Sequence, residues 1–102
     1  MNLRSAMVGA LGALLLNSWL GGCSRPLATP DDCREILDRI VELELRERGL
    51  RDPLLTERRQ KQYRSLFATE LKACPGKPLD PEAMPCVRRA QNVKELVHSC
   101  LR

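Results

Sequence analysis

The N-terminal 22 residues constrain the fold of everything that follows, because they have the layout of a leader that is removed. Met1 to Arg4 is a short basic segment, and Ser5 to Leu16 is an apolar stretch interrupted only by small residues. This order is typical of a secretory signal peptide. The apolar stretch falls short of the roughly 20 residues that a membrane span needs. We therefore expect residues 1–22 to be cleaved and the rest of the chain to fold outside the cytoplasm.

The expected cleavage point lies within Leu20-Gly21-Gly22-Cys23. This tetrapeptide resembles the lipobox of bacterial lipoproteins, in which Leu stands three residues before the cysteine and two small residues separate them. The resemblance implies a diacylglyceryl group on the thiol of Cys23, with acyl chains such as palmitate, and a membrane attachment through that lipid. The residue after the cysteine is Ser24 and not Asp, which, by resemblance to the sorting rule of Gram-negative lipoproteins, implies the outer membrane, with the protein facing the periplasm. The alternative is an ordinary secreted protein with a chance cysteine at this position.

The remaining cysteines predict how so short a domain is stabilised. Cleavage before Cys23 would leave 80 residues, with 16 basic and 13 acidic side chains. A domain of this size buries little surface and commonly relies on disulfides. Four cysteines follow the lipidation site: Cys33, Cys74, Cys86 and Cys100. An even number in an exported chain indicates two disulfides. Their spacing matches neither a structural zinc site nor a C-x-x-C redox pair, so we expect no metal.

Helix signals occur throughout the cysteine-containing segment. Thr29-Pro30-Asp31-Asp32 combines a capping hydroxyl, a proline at the first helical position and acids in the first turn. It predicts a helix from about 30 to 48 that Gly49 ends. Asp52-Pro53 starts a second helix that meets no breaker before Cys74, so the two helices should form an antiparallel hairpin.

Two further start signals lie in the C-terminal third. Asp80-Pro81 begins a third helix, whose first turn Pro85 should separate from the rest, and Asn92 can cap a last segment that reaches Cys100. No stretch has the alternation of a strand. The sequence therefore predicts an all-α fold, a small three- to four-helix bundle with two disulfides behind a lipoprotein signal peptide. The expected organisation is a leader at 1–22, a lipidated Cys23 and tether at 23–29, and the helical domain at 30–102.

Helix lengths favour one disulfide pairing without excluding another. In a straight hairpin that turns near residue 50, Cys33 and Cys74 would be offset by about 10 Å along the axis, which exceeds disulfide reach. Cys74 and Cys86 flank a loop containing Pro and Gly. The favoured pairing is therefore Cys33 with Cys100 and Cys74 with Cys86. Kinks at Pro85 or Asn92 would permit Cys33 with Cys74 and Cys86 with Cys100 instead.

The residues of catalytic sites are scarce, so we predict no enzyme, no catalytic residue and no cofactor beyond the covalent lipid. The single histidine, His98, lies two residues before Cys100, and nothing pairs it with a nucleophile. The acids of the first helix alternate with arginines, as solvated helix faces do. No Gly-rich phosphate loop and no H-E-x-x-H motif is present.

Charge is concentrated around the predicted hairpin turn. Residues 46–64 hold seven basic side chains against three acidic ones. The candidate binding residues are Arg58, Arg59, Lys61 and Arg64. Such a basic surface suits an anionic glycolipid or an acidic patch on an envelope protein, although an ordinary solvated surface is the alternative. Nucleic acid is not expected, because the chain is exported and the mature part holds only Tyr63 and Phe67 as aromatic residues.

The cysteine pattern carries a family resemblance. Cys74-Pro75, the run Pro85-Cys86-Val87-Arg88-Arg89-Ala90 and the C-terminal Glu95-Leu96-Val97-His98-Ser99-Cys100 resemble a family of small four-cysteine bacterial lipoproteins without an assigned activity. In size, lipidation and helicity the chain also resembles pilotins, which escort secretins by gripping a partner helix. The four-cysteine resemblance supports the helical, disulfide-bonded fold and brings no function with it. The expected lipid anchor and the basic surface predict a non-enzymatic binding or adaptor module of the cell envelope. The alternative is a structural or stress-related lipoprotein without a dedicated binding site.

Overall fold

The structure is a computed structural model that describes residues 25–101. These residues form five helices: α1 (Pro30–Glu47), α2 (Pro53–Leu66), α3 (Ala68–Ala73), α4 (Ala83–Arg89) and α5 (Val93–Glu95). The last of them continues into a π-helical turn, Leu96–Cys100. Between residues 25 and 101 there is no strand, only one isolated bridge, and the chain carries two disulfides. The all-α prediction with two disulfides is confirmed.

The ends of α1 are set by local sequence. The Thr29 hydroxyl accepts a hydrogen bond from the Asp32 amide, and the Asp32 carboxylate accepts one from the Thr29 amide, both at 3.0 Å. This capping box provides hydrogen-bond acceptors for two backbone amides that have no partner within the helix. At the other end Gly49 adopts a φ of +76°, and the Leu50 amide donates to the Leu45 carbonyl at 2.8 Å. These are the features of a Schellman C-cap, which reverses the chain directly after α1.

The second helix is shorter than its sequence predicts. It begins as expected, with the Asp52 carboxylate accepting from the Leu54 amide at 3.0 Å. It ends at Leu66, however, and Phe67 has φ −104° and ψ 29°, outside the α-helical values. The chain resumes as the separate helix α3. The expected single helix to Cys74 is therefore two helices joined at Phe67.

The C-terminal elements follow the predicted start signals with one difference. Pro85 lies at the third position of α4, where a proline needs no hydrogen-bond partner for its nitrogen. It is therefore part of the helix, which begins at Ala83 and not at Asp80-Pro81. The Asn92 side chain accepts from the Glu95 amide at 2.7 Å and caps α5 as predicted.

The core lies between α1, α4 and the π-helical turn. Leu43, Val87, Ala90 and Leu96 are fully buried there, and Cys100 is 5% exposed. Partly buried side chains of α1, α4 and α5 surround this cluster. By contrast, α2 contains no buried residue. This cluster belongs to one side of α1. On the other side, which faces α2, Val41 and Leu45 of α1 are also buried and share a cleft with Tyr63 of α2.

The favoured disulfide pairing is wrong. The bridges are Cys33–Cys74 and Cys86–Cys100, with Cα–Cα distances of 6.1 Å and 5.4 Å, which is the pairing that the sequence left as the alternative. The offset calculation assumed a straight helix as far as Cys74. Because the helix is interrupted at Phe67, α3 need not follow the axis of α2, and it contacts α1 directly. Cys100 in turn packs in the core beside α4.

The segment before α1 pairs with the loop after α3. The Ala28 amide donates to the Lys77 carbonyl at 2.8 Å, the Gly76 amide to the Ala28 carbonyl at 2.8 Å, and the Leu79 amide to the Pro26 carbonyl at 2.9 Å. We call these two paired segments, residues 25–28 and 76–79, the N-terminal pole. The part of the expected tether from Pro26 onward is thus fixed to the fold.

Candidate functional site

The turn between α1 and α2, residues 48–54, is called here the hairpin tip. Its shape follows from the Schellman cap at Gly49 and from the Asp52 cap of α2, which leave only a few residues to reverse the chain. Leu50 and Leu54 are 42% and 68% exposed. Large apolar side chains are therefore presented to solvent beside the arginines of the same turn.

Two arginines of the hairpin tip have no counter-charge. Arg48 and Arg51 are exposed, and neither side chain makes an ion pair or hydrogen bond with any residue in the range 25–101. Arg51 lines a cavity of about 370 Å³ together with Leu50, Pro53 and side chains of α1. In that lining the Arg46 guanidinium is already 2.6 Å from the Glu42 carboxylate. The free positive charge of this cavity therefore comes from Arg51.

Of the four cations predicted as a binding site, one is engaged within the fold. Arg64 donates two hydrogen bonds to the Asp38 carboxylate, at 2.9 and 2.7 Å, so it is an internal link between α1 and α2. This hydrogen bonding raises the pKa of the Arg64 guanidinium. Arg59 lines a narrow cleft with Arg48 and Tyr63. Arg58 and Lys61 are exposed and lie three residues apart on α2.

The residues that sequence reasoning missed are Arg48, Leu50, Arg51 and Leu54. A count of charges over 46–64 included the two arginines but did not separate them from paired ones. The signal that identifies them is Gly49, because residues beside the turning glycine of a hairpin project from its end. The two leucines carried no signal of their own, since a leucine in a helix-rich sequence is usually assigned to the core.

A second cleft, of about 240 Å³, runs between α1, α2 and α4. Its three carboxylates, Glu35, Asp38 and Glu42, are each within ion-pair distance of an arginine: Arg88 at 2.9 Å, Arg64 at 2.7 Å, and Arg46 at 2.6 Å. Hydrogen bonding to Arg88 lowers the pKa of Glu35, and burial opposes this effect only in part. A carboxylate that an arginine holds charged, as Arg88 does Glu35, is poorly suited to proton transfer at neutral pH.

A third cavity, of about 230 Å³ and mainly apolar in its lining, lies at the N-terminal pole. Both disulfides contribute to its wall, through Cys33, Cys74 and Cys100. The rest of the lining is mainly apolar and includes Ala28, Ile36, Pro78, Leu79 and Leu101, with Lys77 and Asp80 also present. This cavity therefore lies where the chain enters the fold, at the far end of α1 from the hairpin tip.

The remaining predictions concern the lipidation site, the single histidine, metal binding and membrane-spanning helices. Cys23 lies outside the described residues. His98 is exposed in the π-helical turn. Among residues 25–101 no group of three or more metal-binding side chains occurs. None of the helices in that range has the length and apolar character needed to cross a membrane.

Comparisons with protein-family models, with curated proteins and with solved structures each returned no match. The resemblance to four-cysteine lipoproteins and to pilotins stays a prediction.

Proposed function

We propose that this chain is a lipid-anchored, non-enzymatic lipoprotein of the cell envelope, whose hairpin tip binds an acidic surface of another envelope protein. The observation that carries the proposal is the difference in charge pairing between α1 and the hairpin tip. Glu35, Asp38 and Glu42 are each matched by an arginine, whereas Arg48 and Arg51 have no carboxylate partner in the described range. Unpaired exposed cations attract an acidic partner over a distance and orient it on arrival.

The apolar side chains of the hairpin tip favour a protein partner. Leu50 and Leu54 are exposed next to these arginines, and Leu50 shares the 370 Å³ cavity with Arg51. Protein interfaces commonly combine an apolar centre with a polar rim in which arginine is enriched. The hairpin tip has this combination, with Leu50 and Leu54 exposed beside Arg48 and Arg51.

Position also favours a protein over the lipid of the anchoring membrane. The proposed attachment at Cys23 lies before the N-terminal pole, and α1 leads away from that pole to the hairpin tip. Eighteen residues of helix span about 27 Å. The tip is therefore separated from the attachment point by the length of α1.

The lipid attachment is supported by the basic start, the apolar stretch and Leu20-Gly21-Gly22-Cys23. Intact-mass measurement of protein purified from membranes tests it. We expect cleavage before Cys23, the added mass of acyl chains, and four hydrogens gained when the two disulfides are reduced. An unmodified Cys23 would contradict the anchor while leaving the hairpin tip to be tested separately.

The hairpin tip is tested by photo-cross-linking in cells from a photoreactive amino acid at position 54, which is exposed. We expect an adduct with one envelope protein. The adduct should disappear in the charge-reversed variant Arg48→Glu/Arg51→Glu. It should persist in the matched control Lys72→Glu/Lys94→Glu, which changes the net charge equally at two exposed lysines elsewhere.

Other outcomes identify other functions. An adduct with an anionic glycolipid would replace the protein partner by that lipid. If no adduct forms and the tip variants behave as the wild type, the result would favour the alternative function, a structural or stress-related lipoprotein. An adduct that survives charge reversal would contradict the electrostatic basis of the proposal.

A further inference from the structure

The N-terminal pole is rigidly attached to the fold. Three backbone hydrogen bonds of 2.8 to 2.9 Å and the bridge between Leu27 and Pro78 join its two segments. Two residues before Gly76, Cys74 is linked by the disulfide to Cys33 of α1. The chain is thus fixed to the core from Pro26 onward.

The length of chain before this point limits how far the fold can stand from a membrane. Pro26 is three residues after Cys23, and three fully extended residues span about 10 Å. The polar interface on each side of a bilayer is itself about 5 to 8 Å thick. A lipid on Cys23 would therefore hold the N-terminal pole in or against the headgroup layer.

The surface of the N-terminal pole has the chemistry that such a position requires. Leu27 is 57% exposed although the backbone pairing fixes it in place. Arg25 and Lys77 are exposed nearby in the same two segments. Apolar side chains flanked by cations are favoured at the boundary between acyl chains and anionic headgroups. The apolar cavity lined by Pro78 and Leu79 lies at the same pole.

Acidic side chains close to this pole are engaged in local contacts. Asp31 accepts a hydrogen bond from Arg34 at 2.7 Å, Asp32 from the Thr29 amide at 3.0 Å, and Asp80 from the Glu82 amide at 2.8 Å. Their charges are in part compensated by a guanidinium or by amides at the start of a helical turn. They therefore oppose an anionic surface less than free carboxylates would.

We infer that the N-terminal pole is a membrane-docking surface, which lies directly on the anchoring bilayer with Leu27 at the headgroup–acyl boundary and Arg25 and Lys77 on anionic headgroups. This inference rests on the proposed lipidation of Cys23. It adds an orientation that the anchor alone does not define, because the docked pole directs α1 and the hairpin tip away from the bilayer.

Tryptophan fluorescence can test this orientation, because the only tryptophan of the chain is Trp19, in the leader. Cleavage before Cys23 leaves a mature lipoprotein without tryptophan. The variant Leu27→Trp places one probe at the N-terminal pole, and Leu54→Trp places a matched probe at the hairpin tip. Each lipoprotein is purified from membranes and reconstituted in vesicles of phosphatidylglycerol and phosphatidylcholine, some with brominated acyl chains.

We expect a blue-shifted emission and several-fold stronger bromine quenching for Leu27→Trp than for Leu54→Trp. Equal, weak quenching of both probes in protein whose mass shows the lipid on Cys23 would overturn the docking surface and leave the anchor intact. Protein without the lipid would instead contradict the proposed anchor. Stronger quenching at position 54 would reverse the orientation and overturn the inference.

The role of the cations is tested in the same vesicles. Quenching of the Leu27→Trp probe should be stronger in vesicles that contain phosphatidylglycerol than in vesicles of phosphatidylcholine alone. Adding Arg25→Gln and Lys77→Gln should reduce this difference. The matched control carries Lys72→Gln and Lys94→Gln in the Leu27→Trp background and should keep it. An unchanged response in the first variant would overturn the assignment of Arg25 and Lys77 to the headgroups.

Discussion

The two sides of α1 are held by different kinds of interaction. On one side α4 and the π-helical turn bury apolar side chains, including Val87 and Leu96, against Leu43. On the other side α2 has no buried residue of its own, although Val41 and Leu45 of α1 are buried there and share a cleft with Tyr63 of α2. Polar links add to this contact: Gln60 donates to the Asp38 carbonyl at 3.1 Å, and Arg64 pairs with the Asp38 carboxylate. The α4 side therefore buries apolar side chains of both elements, whereas the α2 side buries those of α1 only.

The difference between the two sides of α1 affects how easily each side could move to fit a binding partner. Burial of apolar surface is the larger stabilising contribution, whereas partly exposed polar contacts contribute little each. We therefore expect displacing α2 to cost less than displacing α4, because only α4 also buries apolar side chains of its own. The covalent link through Cys33–Cys74 adds to the packing of α2 and α3, which contain no buried residue.

Removing that link should have the largest effect. The disulfide joins residues 41 positions apart, and the loop-entropy model gives a loss of about 4 kcal/mol for Cys33→Ala/Cys74→Ala. The model gives about 3 kcal/mol for Cys86→Ala/Cys100→Ala, whose separation is 14. Urea unfolding followed by circular dichroism measures both. A larger loss from the shorter bridge would contradict the view that α2 and α3 depend on Cys33–Cys74.

Hydrogen exchange on the same variants refines this test. Amides of α2 should lose protection in Cys33→Ala/Cys74→Ala before those of α4, because α2 has no buried residue of its own. Uniform loss of protection would mean that the two sides of α1 unfold as one unit.

Truncating the core should have the next largest effect. Leu43 is fully buried, so Leu43→Ala should lower the free energy of unfolding by about 3 kcal/mol. Leu54→Ala at the hairpin tip should change it by less than about 0.5 kcal/mol, because its side chain is mostly exposed. Similar losses of unfolding free energy in the two variants would contradict the expected difference between the core and the hairpin tip.

The link between α1 and α2 through Arg64 should contribute less. Its side chain is 35% exposed, so solvent screens the pair, and Arg64→Gln should cost about 1 kcal/mol. Arg34→Gln, which removes an exposed pair within α1, is the control and should have no measurable effect. Equal losses would show that the contact between helices adds nothing beyond a surface ion pair.

The smallest effect concerns pH. Arg88 lowers the pKa of Glu35 in the folded state, so this group stabilises the fold above the pKa of the unfolded chain and ceases to do so as the pH falls through the lowered value. Glu35→Gln should therefore be slightly less stable than the wild type at pH 7. The difference should vanish at about pH 2, below the usual range of carboxyl pKa values. A difference that persists there would point to packing and not to charge.

Local signals predicted the elements well, and long-range features were missed. Thr29, Asp52 and Asn92 cap helices as expected, because a cap depends on residues three or four positions away. No glycine or proline marks the interruption at Phe67. This interruption invalidated the straight helix that the predicted disulfide pairing assumed. The pairing of Pro26 with Leu79 joins segments that are distant in sequence, so no periodic pattern indicated it.

The candidate site shows the same division. Charge counting located a basic segment, yet it could not separate two kinds of arginine. Arg64 pairs with a carboxylate 26 residues earlier, whereas Arg51 has no such partner among the described residues. That distinction depends on the register of α2 against α1. A sequence gives this register only after the turn geometry at Gly49 is known.

The disulfide between Cys33 and Cys74 also makes a closed covalent ring. One arm of the ring is α1, the other is α2 with α3, and the hairpin tip joins them at the far end. A pull between the N-terminal end of the fold and the tip is consequently shared by two arms in parallel. Neither arm carries the whole tension, and the ring cannot be drawn out into a single extended strand while the bridge is intact.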